Sequence, residues 1–258
     1  MDNYFFSIQP FWGQAKMPSP SLGRPGLFDI SEFENLEENL PCVLGNGQMA
    51  IRIGGGEELR GFCFGVLDWV DDIPSQGIEN GVFIRFAPGV FSRVFHVSAA
   101  EISPFGVPME DIVSKRKIED LKKASASPDR LAALGMTVER WIEEADSRKR
   151  YGENALAHCV LNMIWQRGGN VRVADLSEET GYTVRYLQDV TNRQVGLSPK
   201  KLCKHIRFQR TLKLLDNPSV SHLEAAQIMG YSDQAHYCRE FKDCCGMSPG
   251  EYRKMRVR

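Results

Sequence analysis

The chain has 258 residues, of which 42% are hydrophobic and 25% are charged, and its formal net charge is −1. This length predicts two domains, and the composition supplies enough apolar side chains for two cores. No apolar run is long enough to span a bilayer, and no basic residue precedes the apolar start of the chain. We therefore expect neither a membrane protein nor a secreted one.

The seven cysteines are odd in number and scattered, and no two of them form a C-x-x-C pair. This usage predicts a reducing compartment, the cytoplasm, and argues against a disulfide framework or a zinc site. Cys244 and Cys245 are adjacent, and they are either a redox sensor or ordinary thiols near a helix end.

Residues 1–146 are predicted to form a β-rich domain that ends in helices. Short apolar runs are typical of strands, and they occur at residues 49–53, 62–67 and 81–87. A helix is predicted next, because four apolar residues recur on one of its faces: Val90, Phe91, Val94 and Phe95.

A second helix is predicted after residue 127, with Ser127 as its N-cap and Pro128 in its first turn. Its apolar stripe consists of Leu131, Leu134, Val138, Trp141 and Ile142. The charged segment 146–150 then predicts a linker to the second domain, residues 147–258.

No group of residues in the first domain has the spacing of a catalytic or metal site. His96 is isolated, and the run Gly54-Gly55-Gly56 lacks the lysine of a phosphate loop. The acidic residues Asp68, Asp71 and Asp72 either act on a substrate or form a solvated loop. The aromatic residues between positions 62 and 95 either pack the core or line a pocket. We therefore expect no metal, no cofactor and no enzymatic activity.

The second domain is predicted to be all α-helical. Apolar residues recur at helical spacing in four segments, residues 153–166, 173–180, 184–195 and 199–215. Gly181 and Gly196 end two of these helices, and Thr183 and Ser198 cap the helices that follow them. Beyond residue 217, Ser221 and Glu224 form a capping box, Gly230 ends that helix, Ser232 caps the next and Gly246 ends it.

The order of these signals occurs twice. Gly181-Tyr182-Thr183 precedes Gly196-Leu197-Ser198-Pro199, and 49 positions on Gly230-Tyr231-Ser232 precedes Gly246-Met247-Ser248-Pro249. A repeat with that period is one supersecondary unit used twice. Each copy is a pair of short helices joined by a glycine-bearing turn, which predicts two helix-turn-helix units. The first unit is residues 173–195, and the second unit is residues 222–245.

Charge and geometry favour double-stranded DNA as the partner. Residues 151–258 hold 16 Lys and Arg against 11 Asp and Glu, whereas residues 1–150 hold 16 against 22. A modest basic excess is compatible with binding a polyanion. The helix between the units, residues 199–215, would be about 26 Å long. The second helix of each unit, its recognition helix, can then enter one of two adjacent major grooves.

Residues 171–253 resemble the DNA-binding domain of the AraC/XylS family of bacterial transcriptional regulators. The resemblance is carried by the sequences GYSDQAHYCREFK at 230–242, GMSP at 246–249, Tyr252-Arg253 and IRFQRTLKLL at 206–215. It implies an α+β chain, in which a β-rich sensor-like domain with C-terminal helices is followed by two helix-turn-helix units joined by a long helix.

The first domain is similar to a sensor-like domain of such regulators in the sequence FIRFAPG at 83–89. This resemblance implies that the domain binds a small-molecule effector or a partner protein, forms a homodimer, or does both. The family also implies contact with RNA polymerase.

The resemblance assigns base-reading positions to both recognition helices. In the first unit they fall on Arg185, Gln188 and Asp189, and in the second on Gln234, Ala235, Cys238 and Arg239. Arg pairs with guanine, Gln with adenine, and Asp accepts from the cytosine amino group. Phosphate contacts, which fix register without reading sequence, are expected from Arg193, Lys201 and Lys242.

Two residues of the first unit depart from the family pattern. Thr191 stands where the family usually has an aromatic residue, and Asp189 places a negative charge beside the DNA. We therefore expect the second unit to supply most of the base-specific energy. Two alternatives remain: a co-regulator that binds another protein and reads DNA weakly, and a DNA-repair enzyme. The repair enzyme would need an activated cysteine or a base-flipping pocket with a catalytic carboxylate, and Cys42 and Cys63 lack a neighbouring His or basic cluster.

Overall fold

A computed structural model of the chain describes residues 27–34, 39–40, 48–54, 58–66, 73–74, 76–147 and 152–256. The N-terminal half contains strands, and the described strands are β1 (Phe28–Phe33), β2 (Asn39–Leu40), β3 (Met49–Gly54), β4 (Arg60–Phe64), β5 (Ile73–Pro74), β6 (Gly81–Phe86) and β7 (Val107–Pro108). Five of them form an antiparallel sheet in the order β1-β6-β3-β4-β7, and β2 pairs with β5.

One face of the sheet forms one side of the first hydrophobic core. Because side chains alternate between faces along a strand, Ile30, Ile84 and Ile51 point to the same side, and their register pairs them directly across the neighbouring strands β1, β6 and β3. All three are fully buried. The sequence-predicted strands at 49–53 and 81–87 are therefore confirmed, and β1 is a strand that the sequence patterns did not predict.

Helices cover this face of the sheet. They are α1 (Val90–Phe95), a 3₁₀ turn (Ala99–Glu101), α2 (Met109–Ile112), α3 (Lys115–Ser125) and α4 (Arg130–Ser147). Trp141 of α4 is fully buried, and its ring lies edge-on to Phe95 of α1 with the centroids 5.9 Å apart. The predicted apolar faces of α1 and α4 thus meet in one core with the sheet.

The C-terminal half of the described chain is all helical. Its helices are α5 (Gly152–Gln166), α6 (Val173–Thr180), α7 (Val184–Val195), α8 (Pro199–Leu215), α9 (His222–Ile228), α10 (Gln234–Cys245) and α11 (Pro249–Arg256). Helix α8 contributes to two cores, one with α5, α6 and α7 and the other with α9, α10 and α11. The predicted α+β class, with two helix-turn-helix units joined by a long helix, is confirmed.

Three local predictions are wrong, and two have the same cause. Helix α4 begins at Arg130, and Asp129 rather than Ser127 accepts from the Ala132 amide, at 3.2 Å. Helix α10 is capped by Asp233 rather than Ser232. In both cases a carboxylate lies closer to the helix than the serine, and a negative charge suits the positive end of a helix dipole.

The third error concerns the predicted linker at 146–150. Helix α4 continues to Ser147, and Asp146 pairs with Arg93 of α1 at 3.0 Å. The start of the predicted linker therefore belongs to α4, and residues 148–150 lie outside the described residues. None of the described helices is both long enough and apolar enough to cross a bilayer.

Candidate nucleic-acid interface

The first unit is built by α6, a turn at Gly181, and the recognition helix α7. Gly181 has a φ of 73°, a left-handed conformation that favours glycine and ends α6. Thr183 caps α7, and its hydroxyl accepts from the Tyr186 amide at 3.2 Å. Leu187 and Val190 are fully buried on the inner face of α7. Their burial fixes which face of the helix points outward.

The three predicted reading positions of α7 lie together on that outward face. Arg185, Gln188 and Asp189 are all exposed, and their spacing of three and four residues places them side by side. The Arg185 guanidinium, the Gln188 amide and the Asp189 carboxylate therefore lie next to one another on the exposed face of α7. Whether they contact bases stays a prediction.

Thr191 completes the inner face of α7 with a small polar group. It is fully buried, and its hydroxyl donates to the Leu187 carbonyl at 2.8 Å. This bond satisfies the hydroxyl within its own helix, so the buried polar group carries little penalty. The departure from an aromatic residue is accommodated without disrupting α7.

The N-terminal end of α7 and the residues just before it expose apolar side chains that the sequence analysis did not single out. Tyr182, Val184 and Tyr186 are 47%, 37% and 37% exposed. The two tyrosine rings stack with their centroids 5.2 Å apart. They flank Arg185, and an apolar surface beside a reading position suits the methyl group of thymine. In the sequence, the two tyrosines four positions apart on either side of Arg185 could have indicated this exposed aromatic pair.

The second unit repeats this construction with α9 and the recognition helix α10. Ser221 and Glu224 form the predicted capping box at the start of α9. Asp233 caps α10, and its carboxylate accepts from the His236 amide at 2.7 Å. Tyr237 and Phe241 are buried on the inner face, as predicted.

The predicted reading positions of α10 differ in their access to solvent. Gln234, Ala235 and Arg239 are exposed, whereas Cys238 is half-buried and packs against the core of the second unit. Cys238 therefore sits partly behind the other three. Cys244 and Cys245, further along α10, are buried, and burial raises the pKa of the Cys244 thiol to about 12. Buried thiols with that environment suit the ordinary structural interpretation better than the redox sensor.

The predicted phosphate contacts have different surroundings. Lys201 and Lys242 are exposed. Arg193 instead donates to the Glu153 carboxylate of α5 at 2.7 Å, which offsets part of its charge in this structure. Any role of Arg193 in holding a phosphate requires that it leave Glu153 or be shared with it. All three assignments stay predictions.

Three of the basic side chains on α8 bind protein groups. Lys204 pairs with Asp243 at 3.3 Å, Arg207 with Glu240 at 2.8 Å, and Arg210 donates to the Trp165 carbonyl. The basic character of α8 that the sequence suggested is therefore used largely within the domain. Lys200 and Lys201, in the first turn of α8, are exposed.

Catalytic and metal chemistry finds little support in the part of the chain that the structure describes. No three His, Cys, Asp or Glu residues there come close enough to hold a metal ion. Cys63 is fully buried, and burial, together with nearby Glu110, raises the pKa of its thiol well above the usual range. Such a thiol is a poor nucleophile. Cys42 and the acidic residues Asp68, Asp71 and Asp72 lie outside the described residues.

The N-terminal half touches the first unit where α7 ends. Gly196, with a φ of 82°, ends α7 in the left-handed conformation. A Cβ atom added there would lie 3.2 Å from Val66 and 3.4 Å from Ala99, both in the N-terminal half. The end of the first recognition helix is therefore packed directly against the other domain.

Comparisons with known proteins agree with this description of the C-terminal half. A family profile described as "Helix-turn-helix domain" matches residues 176–255. The "HTH-type transcriptional regulator MtrA" of Neisseria gonorrhoeae is 43% identical over 113 residues, which are 44% of this chain and 38% of that protein. The "Msm operon regulatory protein" of Streptococcus mutans is 28% identical over 113 residues, 44% of this chain and 40% of that protein.

Among solved structures, ToxT from Vibrio cholerae is similar over 94% of this chain and 98% of its own, with 14% sequence identity and a TM-score of 0.42. A likeness at that level supports no conclusion about function. The chain spans less than half the length of the two curated relatives. The matched residues 176–255 contain most of the first capped unit and all of the second, so the profile and the structure agree on a helix-turn-helix domain in this part of the chain.

Proposed function

We propose that this chain is a sequence-specific DNA-binding transcriptional regulator of bacterial genes. The observation that carries the proposal is the paired construction of the two units. Each buries one face of a capped recognition helix and exposes hydrogen-bonding side chains on the other: Arg185 and Gln188 on α7, Gln234 and Arg239 on α10. These groups match base edges in the major groove.

The two recognition helices are proposed to enter adjacent major grooves of one duplex. Helix α8, with 17 residues, would span about 26 Å between the units, compatible with grooves one helical turn apart. Lys201, Lys242 and the capped amino ends of the helices would hold phosphates. The affinity should then fall steeply as salt concentration rises.

The N-terminal half is proposed to regulate this activity by binding an effector or by mediating oligomerisation. The contact between Gly196 and the residues Val66 and Ala99 supports a physical connection to the first recognition helix. A homodimer, contact with RNA polymerase, the absence of enzymatic activity and a cytoplasmic location belong to the same proposal. The buried state of Cys63 disfavours the DNA-repair alternative.

In vitro selection from random duplexes with the full chain, followed by hydroxyl-radical footprinting, tests the proposal. The expected result is a bipartite motif protected at two sites about one helical turn apart. Binding that selects no motif, or protection of a single turn, would contradict it. A purified protein that selects no DNA but retains another regulator would instead support the co-regulator alternative.

A further inference from the structure

Arg207, in the middle of the connecting helix α8, joins three separate parts of the C-terminal half. Its guanidinium binds the Glu240 carboxylate of α10 through two hydrogen bonds, of 3.0 Å and 2.8 Å. Its remaining terminal nitrogen donates to the Gly169 carbonyl at 2.8 Å, in the loop that leads into the first unit. One side chain thus connects the second recognition helix with the entry to the first unit.

Tyr231, in the turn of the second unit, completes the cluster. Its hydroxyl donates to Glu240 at 2.8 Å, and its ring centroid lies 5.6 Å from the Arg207 guanidinium. The side chains of Arg207 and Glu240 are only 18% and 11% exposed. A planar guanidinium with two-point pairing loses little freedom for each bond formed, and a pair shielded from water is stronger than a surface pair.

Two glycines beside this cluster lie so close to neighbouring atoms that a larger residue would not fit. A Cβ atom on Gly169 would lie 2.3 Å from the Cys203 carbonyl oxygen of α8. A Cβ atom on Gly230, in the turn of the second unit, would lie 1.9 Å from the amide nitrogen of the Asn170 side chain. The Asn170 side chain, in the loop before the first unit, therefore lies directly on the turn of the second unit, so this loop and the second unit are in contact in addition to their shared packing on α8.

We propose that Arg207 is a positioning residue that sets the separation of the two DNA half-sites this protein accepts, by locking both helix-turn-helix units into one rigid body. The inference rests on the proposed function. When two binding elements are rigidly joined, the second meets its site at high effective concentration only if the spacing matches. When the connection between the two units is flexible, the second unit can reach half-sites at several spacings, but at a lower effective concentration for each.

The test uses duplexes that carry the motif selected by the full wild-type chain, with one, two, three or five base pairs inserted between the half-sites. For the wild type, a two-base-pair insertion is expected to weaken binding by about 30-fold or more. For Arg207→Lys and Glu240→Gln the same insertion should weaken it by less than about fivefold, with binding at the selected spacing reduced about tenfold. Tyr231→Phe, which removes one hydroxyl, should lie between these cases.

The double variant Arg207→Glu with Glu240→Arg restores opposite charges. Its affinity should again fall when base pairs are inserted between the half-sites, although less steeply than that of the wild type. Affinity for a duplex with one half-site should stay within about twofold of wild type, which separates positioning from base reading. Thermal unfolding establishes that each variant is folded, and Tyr231→Phe carries the test if the others are not. Folded variants with the wild-type spacing profile would overturn the inference. A wild type that selects no motif would instead refute the proposed function.

Discussion

At the scale of single residues, the two recognition helices offer unequal chemistry. Helix α10 exposes Gln234 and Arg239, both able to pair with a base through two hydrogen bonds. Helix α7 exposes Arg185 and Gln188 as well, but the acceptor Asp189 lies beside them. An extra negative charge near phosphates opposes binding, so we continue to expect the larger base-specific share from the second unit.

This ranking predicts different outcomes for three alanine substitutions. Arg239→Ala should cost about 1–3 kcal/mol of specific binding and relax the preference at one base pair. Lys201→Ala should weaken binding to all sequences alike and lower the salt slope by about one. Fluorescence anisotropy on selected and scrambled duplexes measures both. If Arg185→Ala damages discrimination more than Arg239→Ala, the ranking is wrong.

Two tyrosines in the second unit predict opposite effects of losing a hydroxyl. Tyr237 is fully buried, and its hydroxyl has no hydrogen-bond partner among the described residues. Tyr237→Phe should therefore raise the free energy of unfolding by about 1 kcal/mol. Tyr231→Phe, which breaks the bond to Glu240, should lower it by about 1 kcal/mol. Urea unfolding measures both, and a destabilised Tyr237→Phe would contradict the burial argument.

At the scale of elements, helix ends determine how well each unit is defined. The N-cap of α10 is a carboxylate, and the pKa of Asp233 is lowered, first of all by the hydrogen bond it accepts from the His236 amide. A carboxyl with a lower pKa in the folded state stabilises that state above its unfolded pKa. The contribution is lost as the pH falls through the folded value.

Asp233→Asn should therefore flatten the acid side of the stability profile. Asparagine caps a helix but does not titrate, so the variant should lose less stability than wild type as the pH falls below about 3.8, the ordinary value for aspartate. Thr183→Asn, which replaces the uncharged N-cap of α7, is the control and should retain the wild-type pH profile. Ser232→Ala should give an intermediate profile, because the Ser232 hydroxyl donates to the Asp233 carboxylate at 3.1 Å and helps to lower its pKa. Denaturant unfolding at a series of pH values makes the comparison. Parallel profiles for wild type and Asp233→Asn would refute it.

The sequence predicted helices better than strands or long-range contacts. The helices at residues 173–180, 184–195 and 199–215 carry local signals, glycine ends and polar caps, and the structure has the same bounds. Strand β1 pairs with β6, more than fifty residues away, and helix α3 buries only Ile118, Leu121 and Ala124. Their stability comes from distant partners, which a local pattern does not contain.

The candidate interface followed the same rule. Exposure of Arg185, Gln188, Gln234 and Arg239 agrees with where helical periodicity placed the outer faces. The pairing of Arg193 with Glu153, forty positions apart, leaves no local signature, nor does that of Arg207 with Glu240. Sequence therefore identifies which side chains face outward, but not which of them the protein has already paired.

At the scale of the whole molecule, the N-terminal half packs directly against the first unit. The 3₁₀ turn at Ala99–Glu101 and Val66 meet the end of α7 at Gly196. The second unit packs on α8.

Two glycines with the same backbone conformation can measure this contact. Gly181 and Gly196 both end a helix in the left-handed region, but a Cβ on Gly181 would have nothing within 4 Å. Asparagine tolerates that conformation, so Gly181→Asn should change the free energy of unfolding by less than about 0.5 kcal/mol. Gly196→Asn should lower it by about 1–3 kcal/mol, because its side chain must displace Val66 and Ala99. Equal effects in denaturant unfolding would show that the interdomain contact contributes nothing.

The crowding at Gly169 bears on how such a protein can evolve. A lineage that acquired alanine there would have to move the loop between α5 and α6 away from α8, since the new methyl group would meet a backbone oxygen. The side chains at all of the predicted base-reading positions would be unchanged. Under the proposed function, such a substitution would alter which half-site spacing the protein accepts, and with it which promoters the protein binds. Two descendants would then differ in target genes although their recognition helices have the same sequence.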